Sequence, residues 1–206
     1  MLPGRMGKIF GVGLGKTGTR SLASALRLLG YRTMHHGGAS MRDKADRAAA
    51  EGVPLLTYVG TDFDAYFDNY GLLSRFELLD EQYPNSRFIL TTRPMEQWLE
   101  RRADHNRARG YIIDPDGWRA ERDAHHAAVL AHFAGRDDLL VMDITSGDGF
   151  EKLAPFLGRR PPTGGFPWEN RAGAGTYRGE SAIAPLRRRA RFAVGRVRRR
   201  LEPDGF

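Results

Sequence analysis

Short apolar runs alternate with helix-like segments along most of this chain, and this alternation limits the fold more than any other feature. Strand-like runs occupy residues 8–14, 31–36, 55–59, 87–92 and 139–143. The segments between them carry apolar residues at helical spacing, as in residues 19–29 and 70–83. We therefore expect a three-layer α/β domain with a mostly parallel sheet and helices on both faces. Ligands of such sheets bind beyond the carboxyl ends of the strands.

The composition is that of one globular domain, long enough to bury a full core without disulfides or structural metal ions. The chain has 206 residues, of which 41% are hydrophobic and 28% charged, and it contains no cysteine. The missing thiols exclude disulfides, thiolate zinc sites and a cysteine nucleophile. No apolar run reaches the ~18 residues of a membrane span, and the first residues do not read as a secretory signal. We expect a cytoplasmic protein.

The positive charge is concentrated near the end of the chain. The formal net charge is +7, and eight arginines with no acid lie between Arg187 and Arg200. The rest of the chain is close to neutral, so we do not expect it to bind nucleic acid. We place the domain at residues 1–180 and a basic tail at residues 181–206. The tail's helical spacing fits contact with an anionic membrane or an acidic partner, and equally a solvated end.

A glycine-rich junction follows the first strand. The sequence GVGLGKTGTRS lies between a strand-like run and a helix-like run. Glycines let successive backbone amides converge on an anion, and the start of the following helix adds free N–H groups. Lys16 adds a charge, and Thr17, Thr19 and Ser21 add hydroxyl groups. The junction therefore predicts a phosphate site, against the simpler interpretation of a turn without a ligand.

Two other phosphate-binding patterns fit this junction less well. The dinucleotide pattern G-x-G-x-x-G is matched by Gly13, Gly15 and Gly18, but the second strand lacks the acid that binds ribose. The Walker A pattern needs a glycine where Phe10 stands, although its GK-[ST] end is present. Because Asp143 ends a strand-like run that could serve as a Walker B strand, a nucleotide kinase or NTPase remains the alternative.

The junction resembles most closely the 5′-phosphosulfate loop of sulfotransferases, whose K-[ST]-G-T-[ST] core opens the first helix. Arg20 stands at the last position of that core, with Ser21 directly after it. The resemblance implies the P-loop-type fold of this family, with 3′-phosphoadenosine 5′-phosphosulfate as the donor and no metal. It assigns donor binding to the residues of this loop: Gly15, Lys16, Thr17, Gly18, Thr19, Arg20 and Ser21. Lys16 would also stabilise the leaving oxygen.

The resemblance extends to a second signature at residues 83–94. There the family uses an arginine at the end of a strand to bind the donor's 3′-phosphate, and the matching residue is Arg93. A guanidinium suits this role because it can present two N–H donors to one phosphate. Arg101 stands where the family usually has a serine, also on the 3′-phosphate. Arg171 weakly matches a basic loop that closes over the same phosphate.

The implied reaction moves a sulfuryl group to a hydroxyl or amine of a small-molecule, carbohydrate or lipid acceptor. Small-molecule sulfotransferases use a histidine in a turn after the third strand, and Asp62 occupies the similar turn here. Asp62 could equally cap the next helix. His36, with His35 beside it, is the competing base, since histidine titrates near neutral pH. A non-catalytic nucleotide-binding relative remains a further alternative, and the sequence does not determine the oligomeric state.

Overall fold

The computed structural model describes residues 7–35 and 38–169. Five parallel strands form one sheet in the order β2-β3-β1-β4-β5. The strands are β1 (Ile9–Gly11), β2 (Thr33–His35), β3 (Ala65–Phe67), β4 (Arg87–Thr91) and β5 (Leu139–Met142). In β1, which lies at the centre, Ile9 is level with Ala65 of β3 and with Arg87 of β4. All the carboxyl ends of the strands therefore lie along one edge of the sheet.

Helices cover both faces of the sheet, which confirms the predicted three-layer α/β fold. One core layer joins Phe10, Tyr66 and Phe88 to helices α2, α3, α4 and α6, and the other joins Ile9, Phe67 and Ile89 to α1 and α7. Successive strand residues thus point to opposite layers, as the pleat requires. The helices are α1 (Thr19–Leu28), α2 (Gly38–Ala50), α3 (Tyr70–Leu73), α4 (Phe76–Gln82), α5 (Met95–Arg107), α6 (Pro115–His132) and α7 (Phe150–Phe156).

The third strand is not where the sequence predicted it. Residues 55–59 form turns, and β3 is the later run Ala65–Phe67. Leu55 and Leu56 are apolar because they are fully buried in a core layer, not because they belong to the sheet. Their backbone amides donate to the Gln82 side chain and the Tyr83 hydroxyl instead of to a strand. An apolar run of this length fits a buried turn as well as a strand.

The helix predicted over residues 70–83 is two helices with a break at Ser74 and Arg75. The Ser74 hydroxyl donates to the Tyr70 carbonyl, and Arg75 takes a non-helical conformation before α4 begins. Asn69 caps α3 by accepting a hydrogen bond from the amide of Gly71. Hydroxyl and amide side chains that bind nearby backbone groups compete with the helix in this way.

Candidate active site

The glycine-rich loop leaves the central strand and enters α1 at the carboxyl edge of the sheet. Val12 extends the pairing with β4 because its amide donates to the Ile89 carbonyl. A Cβ atom at Gly13 would lie 2.2 Å from the Thr91 hydroxyl oxygen, so only glycine fits there. Gly18 has a φ of 93°, a left-handed conformation that favours glycine, and it precedes the first residue of α1. Packing and backbone conformation thus both require the glycines.

Two side chains from the β4–α5 region hold the backbone of this loop. The Arg93 guanidinium donates to the Lys16 carbonyl at 2.8 Å, and the Trp98 indole donates to the Gly15 carbonyl at 2.9 Å. Lys16 itself has a φ of 73°, which is uncommon for a residue with a side chain. Such strain persists where surrounding contacts fix the backbone, often at functional sites.

The cations of the site lie in a partly desolvated environment. Burial lowers the pKa of Lys16; the charge of Asp68 opposes this shift, and the charges of Arg109 and Arg20 add to it. Burial also lowers the pKa of Arg93, helped by the charge of Arg101. Clustered cations with reduced solvation favour an anionic ligand, because a ligand's charge would relieve their mutual repulsion.

A buried polar atom also points to a ligand at this position. The Arg93 Nε atom is buried and has no hydrogen-bond partner within the described part of the chain. Leaving a charged donor unpaired in this way is costly unless another group binds it. Arg93 therefore supports the Lys16 backbone with one nitrogen and has donor capacity for an anion.

The three hydroxyl groups of the loop have different surroundings. Thr17 is fully buried, and its hydroxyl donates to the Leu14 carbonyl while it accepts from Thr91 at 2.6 Å. Its single proton is used, so the Thr17 hydroxyl does not donate to a phosphate as the sequence led us to expect. The Thr19 hydroxyl lies 3.1 Å from His35 Nε2. The Ser21 hydroxyl accepts from the Glu169 amide and thus contacts the C-terminal part of the domain.

The expectation that Asp62 follows the third strand is wrong. Asp62 is exposed and precedes β3, so it lies at the amino edge of the parallel sheet, opposite the glycine-rich loop. The Lys8 ammonium, next to the first residue of β1, donates to the carbonyls of Thr61 and Phe63 on either side of it. The helix that Asp62 was expected to cap is also not there, since β3 follows. Asp62 is therefore not placed to take a proton from an acceptor at Lys16.

Asp68 occupies the position that the sequence assigned to Asp62. It directly follows β3 with a φ of 55°, and its carboxylate lies 3.8 Å from His35 Nε2. A Cβ atom at Gly15 would lie 3.1 Å from Asp68 Oδ1, so this carboxylate lies next to the loop. The side chain of Asp68 is about one fifth exposed, at 22%. It therefore combines partial burial, a nearby histidine and a nearby lysine.

Of the other residues predicted for the site, two are exposed and two lie outside the described part of the chain. Arg101 is exposed on α5, where its guanidinium lies 3.8 Å from the Asp104 carboxylate. Its charge helps to lower the pKa of Arg93. Arg20 is exposed in the first turn of α1, and its charge helps to lower the pKa of Lys16. His36, Arg171 and the basic tail predicted at residues 181–206 lie outside the described residues.

Asp143, which the alternative interpretation placed in a Walker B strand, caps a turn. Its carboxylate accepts hydrogen bonds from the Ser146 amide and from the hydroxyls of Thr145 and Ser146. In the stretches that the structure describes, no group of three or more His, Cys, Asp or Glu residues could hold a metal ion. Asp143 therefore has a structural role at the end of β5.

Sequence reasoning missed three residues that shape this site. Asp68 had a recognisable signal, since it directly follows the apolar run Ala65–Phe67. Trp98 and Arg122 had none, because their contacts depend on how α5 and α6 pack. Arg122 is buried, and its guanidinium donates to the Arg93 carbonyl and to the Thr92 hydroxyl. It thus holds the strand end from which Arg93 extends.

Comparison with protein families identifies the family of this chain. A family model described as Sulfotransferase domain matches residues 8–110 and 102–174, which together span most of the chain. The chain belongs to the sulfotransferase domain family. A comparison with curated proteins finds no match.

The family assignment makes this protein a transferase of sulfuryl groups. The matched segments include the glycine-rich loop, Asp68 and Arg93, so the site described above lies within the sulfotransferase domain. Within the described ranges, no helix of this sulfotransferase is long and apolar enough to cross a membrane.

Proposed function

We propose that this sulfotransferase moves a sulfuryl group from 3′-phosphoadenosine 5′-phosphosulfate to a hydroxyl or amine of a small-molecule, carbohydrate or lipid acceptor. The observation that carries this proposal is the hydrogen bond from Arg93 to the Lys16 carbonyl, which joins residues 77 positions apart in the sequence. It brings a lysine suited to a 5′-phosphate beside an arginine suited to a 3′-phosphate. A donor with two separated anionic groups fits this arrangement better than one with a single phosphate.

The residues present fit such a donor. Gly18, the N-cap of α1, makes no side-chain capping hydrogen bond, and the start of a helix suits the oxygens of a 5′-phosphate. The buried Arg93 Nε atom lacks a partner among the described residues and would be satisfied by a 3′-phosphate. The Thr17 hydroxyl supports this binding through its contact with the Thr91 hydroxyl, which fixes the loop.

The donor supplies the sulfuryl group, whose bond to the 5′-phosphate oxygen breaks as a new bond to the acceptor oxygen or nitrogen forms. Lys16, in its charged form, stabilises the negative charge that develops on the leaving oxygen. Asp68 accepts the acceptor's proton, because its carboxylate lies next to the loop at Gly15. The histidine at position 35 lies beside both Thr19 and Asp68, so it helps to orient the base.

Calorimetry with adenosine 3′,5′-bisphosphate in the presence of a chelator tests donor binding. We expect tight binding without metal. We expect Arg93→Ala to weaken this ligand by about tenfold or more and to weaken adenosine 5′-monophosphate less, because the second ligand loses only the support of the Lys16 carbonyl. Arg87→Ala is the matched control, because Arg87 lies at the opposite end of the same strand. Equal losses for the two ligands in Arg93→Ala would remove Arg93 from the 3′-phosphate site.

Turnover tests the catalytic part of the proposal. With labelled donor and a panel of alcohols, phenols, sugars and amines, we expect the wild-type protein to label at least one acceptor. We expect Lys16→Ala to abolish that transfer, because the leaving oxygen loses its stabilising charge. Near-normal turnover in Lys16→Ala would refute the role of Lys16.

A further inference from the structure

A buried arginine stands in the inward face of helix α6. Trp118, Arg122 and Val129 are buried, and their spacing places them along one side of the helix. Arg122 is only 7% exposed, the same as Trp118 four residues before it. Burying a cation at such a position is costly, and an apolar side chain would fill it without that cost. Arg122 therefore needs a reason that lies in its contacts.

The Arg122 guanidinium binds the chain on both sides of the Arg93 side chain. One terminal nitrogen donates to the Arg93 carbonyl and, at 3.1 Å, to the Thr92 hydroxyl. The other donates to the Met95 sulfur at 3.2 Å, in the first turn of α5. One side chain of α6 thus holds the connection between β4 and α5 from which Arg93 extends.

These contacts are with neutral groups, so they do not compensate the charge of Arg122. Besides the carbonyl, hydroxyl and sulfur, the guanidinium lies over the Trp98 ring, 5.4 Å from its centroid. Burial lowers the pKa of Arg122, and the charges of Asp123 and Asp143 oppose this shift. An arginine that only stabilised the core would be expected beside a carboxylate. This one is bound to the backbone of Arg93.

We propose that Arg122 is a positioning residue for the donor's 3′-phosphate, and that it acts by fixing the backbone of Arg93. This inference rests on the proposed function and adds a residue of α6 to it. The Arg93 guanidinium already donates to the Lys16 carbonyl, so it must reach two partners from one backbone position. A side chain keeps such a geometry only when its neighbours hold it in place.

The ratio of two nucleotide affinities tests the inference. Calorimetry on the full chain compares adenosine 3′,5′-bisphosphate with adenosine 5′-monophosphate, so the ratio reports what the 3′-phosphate contributes. Arg122→Met removes the guanidinium and keeps an unbranched side chain. We expect it to lower the ratio by about fivefold, because an Arg93 that is free to move loses more freedom on binding the phosphate. A ratio equal to that of the wild-type protein would refute the proposal.

A double variant separates positioning from a general effect on the fold. If Arg122 acts through Arg93, its loss matters only while Arg93 is present. Arg122→Met should therefore weaken the bisphosphate by less than about twofold in a chain that already carries Arg93→Ala. An equal loss of bisphosphate affinity in both backgrounds would show that Arg122 acts on the fold and not through Arg93, and the proposal would fall.

Val129→Ala is the matched control on the same helix. Val129 is fully buried, and it packs in the core layer of Phe10 and Phe88. Its truncation loosens α6 and leaves the contacts of Arg122 in place. We expect the ratio of affinities to stay within about twofold of the wild-type value. A fall as large as that in Arg122→Met would contradict the specific role of Arg122.

Arg122→Lys carries the test if Arg122→Met does not fold. A lysine keeps the charge but has one nitrogen, so it cannot reach both the Arg93 carbonyl and the Met95 sulfur as the guanidinium does. We expect the ratio to fall by about threefold in this variant. A ratio at the wild-type value in Arg122→Lys would then refute the proposal.

The Arg93→Ala variant separates this inference from the proposed function. If the wild-type protein binds the two nucleotides equally, or if Arg93→Ala does not lower the ratio, the proposed function fails and the inference fails with it. If Arg93→Ala lowers the ratio and the Arg122 variants do not, the inference alone is refuted.

Discussion

Lys16 combines two unfavourable features that make sense at a functional site. Its backbone is left-handed, and burial lowers the pKa of its side chain. Neither feature improves folding, since a positive φ is strained and a desolvated ammonium is costly. Both hold a cation at the start of α1 with few water molecules around it. A phosphate bound there would gain the most electrostatic stabilisation from the cation, because little water screens the two charges.

The lowered pKa of Lys16 predicts a pH dependence of ligand binding. The ammonium is charged below its pKa, so affinity for adenosine 3′,5′-bisphosphate should fall as pH rises through a value below the ordinary 10.5 of lysine. The fall should approach tenfold per pH unit above that value. We expect Lys16→Arg to keep a flat alkaline profile, because a guanidinium stays charged. Calorimetry between pH 7 and pH 10 measures both slopes, and parallel profiles would contradict the assignment.

A pair of aspartates distinguishes the two ends of β3. Asp68 follows the strand beside the glycine-rich loop, whereas Asp62 precedes it on the opposite edge of the sheet. Asp68→Asn should lower turnover by about 10²- to 10⁴-fold, because an amide cannot accept the proton. Asp62→Asn should change turnover by less than about twofold. Steady-state rates with labelled donor check both, and a loss confined to Asp62→Asn would restore the assignment made from the sequence.

At the scale of elements, the site depends on how closely the chain after β1 packs against the end of β4. Val12 still pairs with Ile89, and Gly13 then packs directly on Thr91. Thr91 in turn holds the Thr17 hydroxyl, and the β4–α5 connection provides Arg93. The loop therefore takes its shape from the end of β4 as much as from its own glycines.

Gly13→Ala tests this close approach of loop and strand. The added methyl group would lie 2.2 Å from the Thr91 hydroxyl oxygen and close to the Thr91 backbone, so the loop must shift. We expect a loss of about 1–3 kcal/mol in the free energy of unfolding, together with weaker binding of the bisphosphate. Gly165→Ala is the control, because a Cβ atom there meets nothing within 4 Å. Denaturant unfolding measures both variants, and equal stability would contradict the packing argument.

At the scale of the whole molecule, the C-terminal part of the described chain packs back onto the first helix. The Phe166 ring contacts the Phe150 ring, with centroids 5.0 Å apart. The Glu169 amide donates to Ser21, and the Ser24 hydroxyl donates to the Glu169 carboxylate. The Phe166 contact joins the segment after α7 to α7 itself, and the Glu169 hydrogen bonds join it to α1, so the domain extends at least to residue 169.

Two truncations test where the domain ends. Ending the chain after residue 180 should leave bisphosphate affinity within about twofold and the unfolding temperature nearly unchanged, since the predicted boundary lies there. Ending it after residue 160 removes Phe166 and Glu169 and should lower the unfolding temperature by several degrees, about what a loss of 1–2 kcal/mol produces. Thermal unfolding measures both, and equal stability of the two truncated chains would contradict this account.

The sequence was most informative where a local signal and the tertiary context agree. The alternation of apolar runs with helical segments predicted the parallel sheet, and the glycine-rich junction predicted the loop at its centre. Residues 55–59 were misassigned because their apolar pattern serves a buried turn. That error displaced the third strand and placed Asp62, instead of Asp68, at the carboxyl edge of the sheet.

The sequence by itself determined the layered α/β fold, the sulfotransferase resemblance and the identity of Lys16 and Arg93 as candidate ligand groups. These features follow from local periodicity and from contiguous motifs. Only the tertiary structure decided that Arg93 supports the Lys16 backbone, that the Thr17 hydroxyl is used inside the fold and that Asp68 lies at the loop. The physical reason is that each of these contacts joins separate stretches of chain or depends on a loop conformation, and helical or strand periodicity carries no information about either.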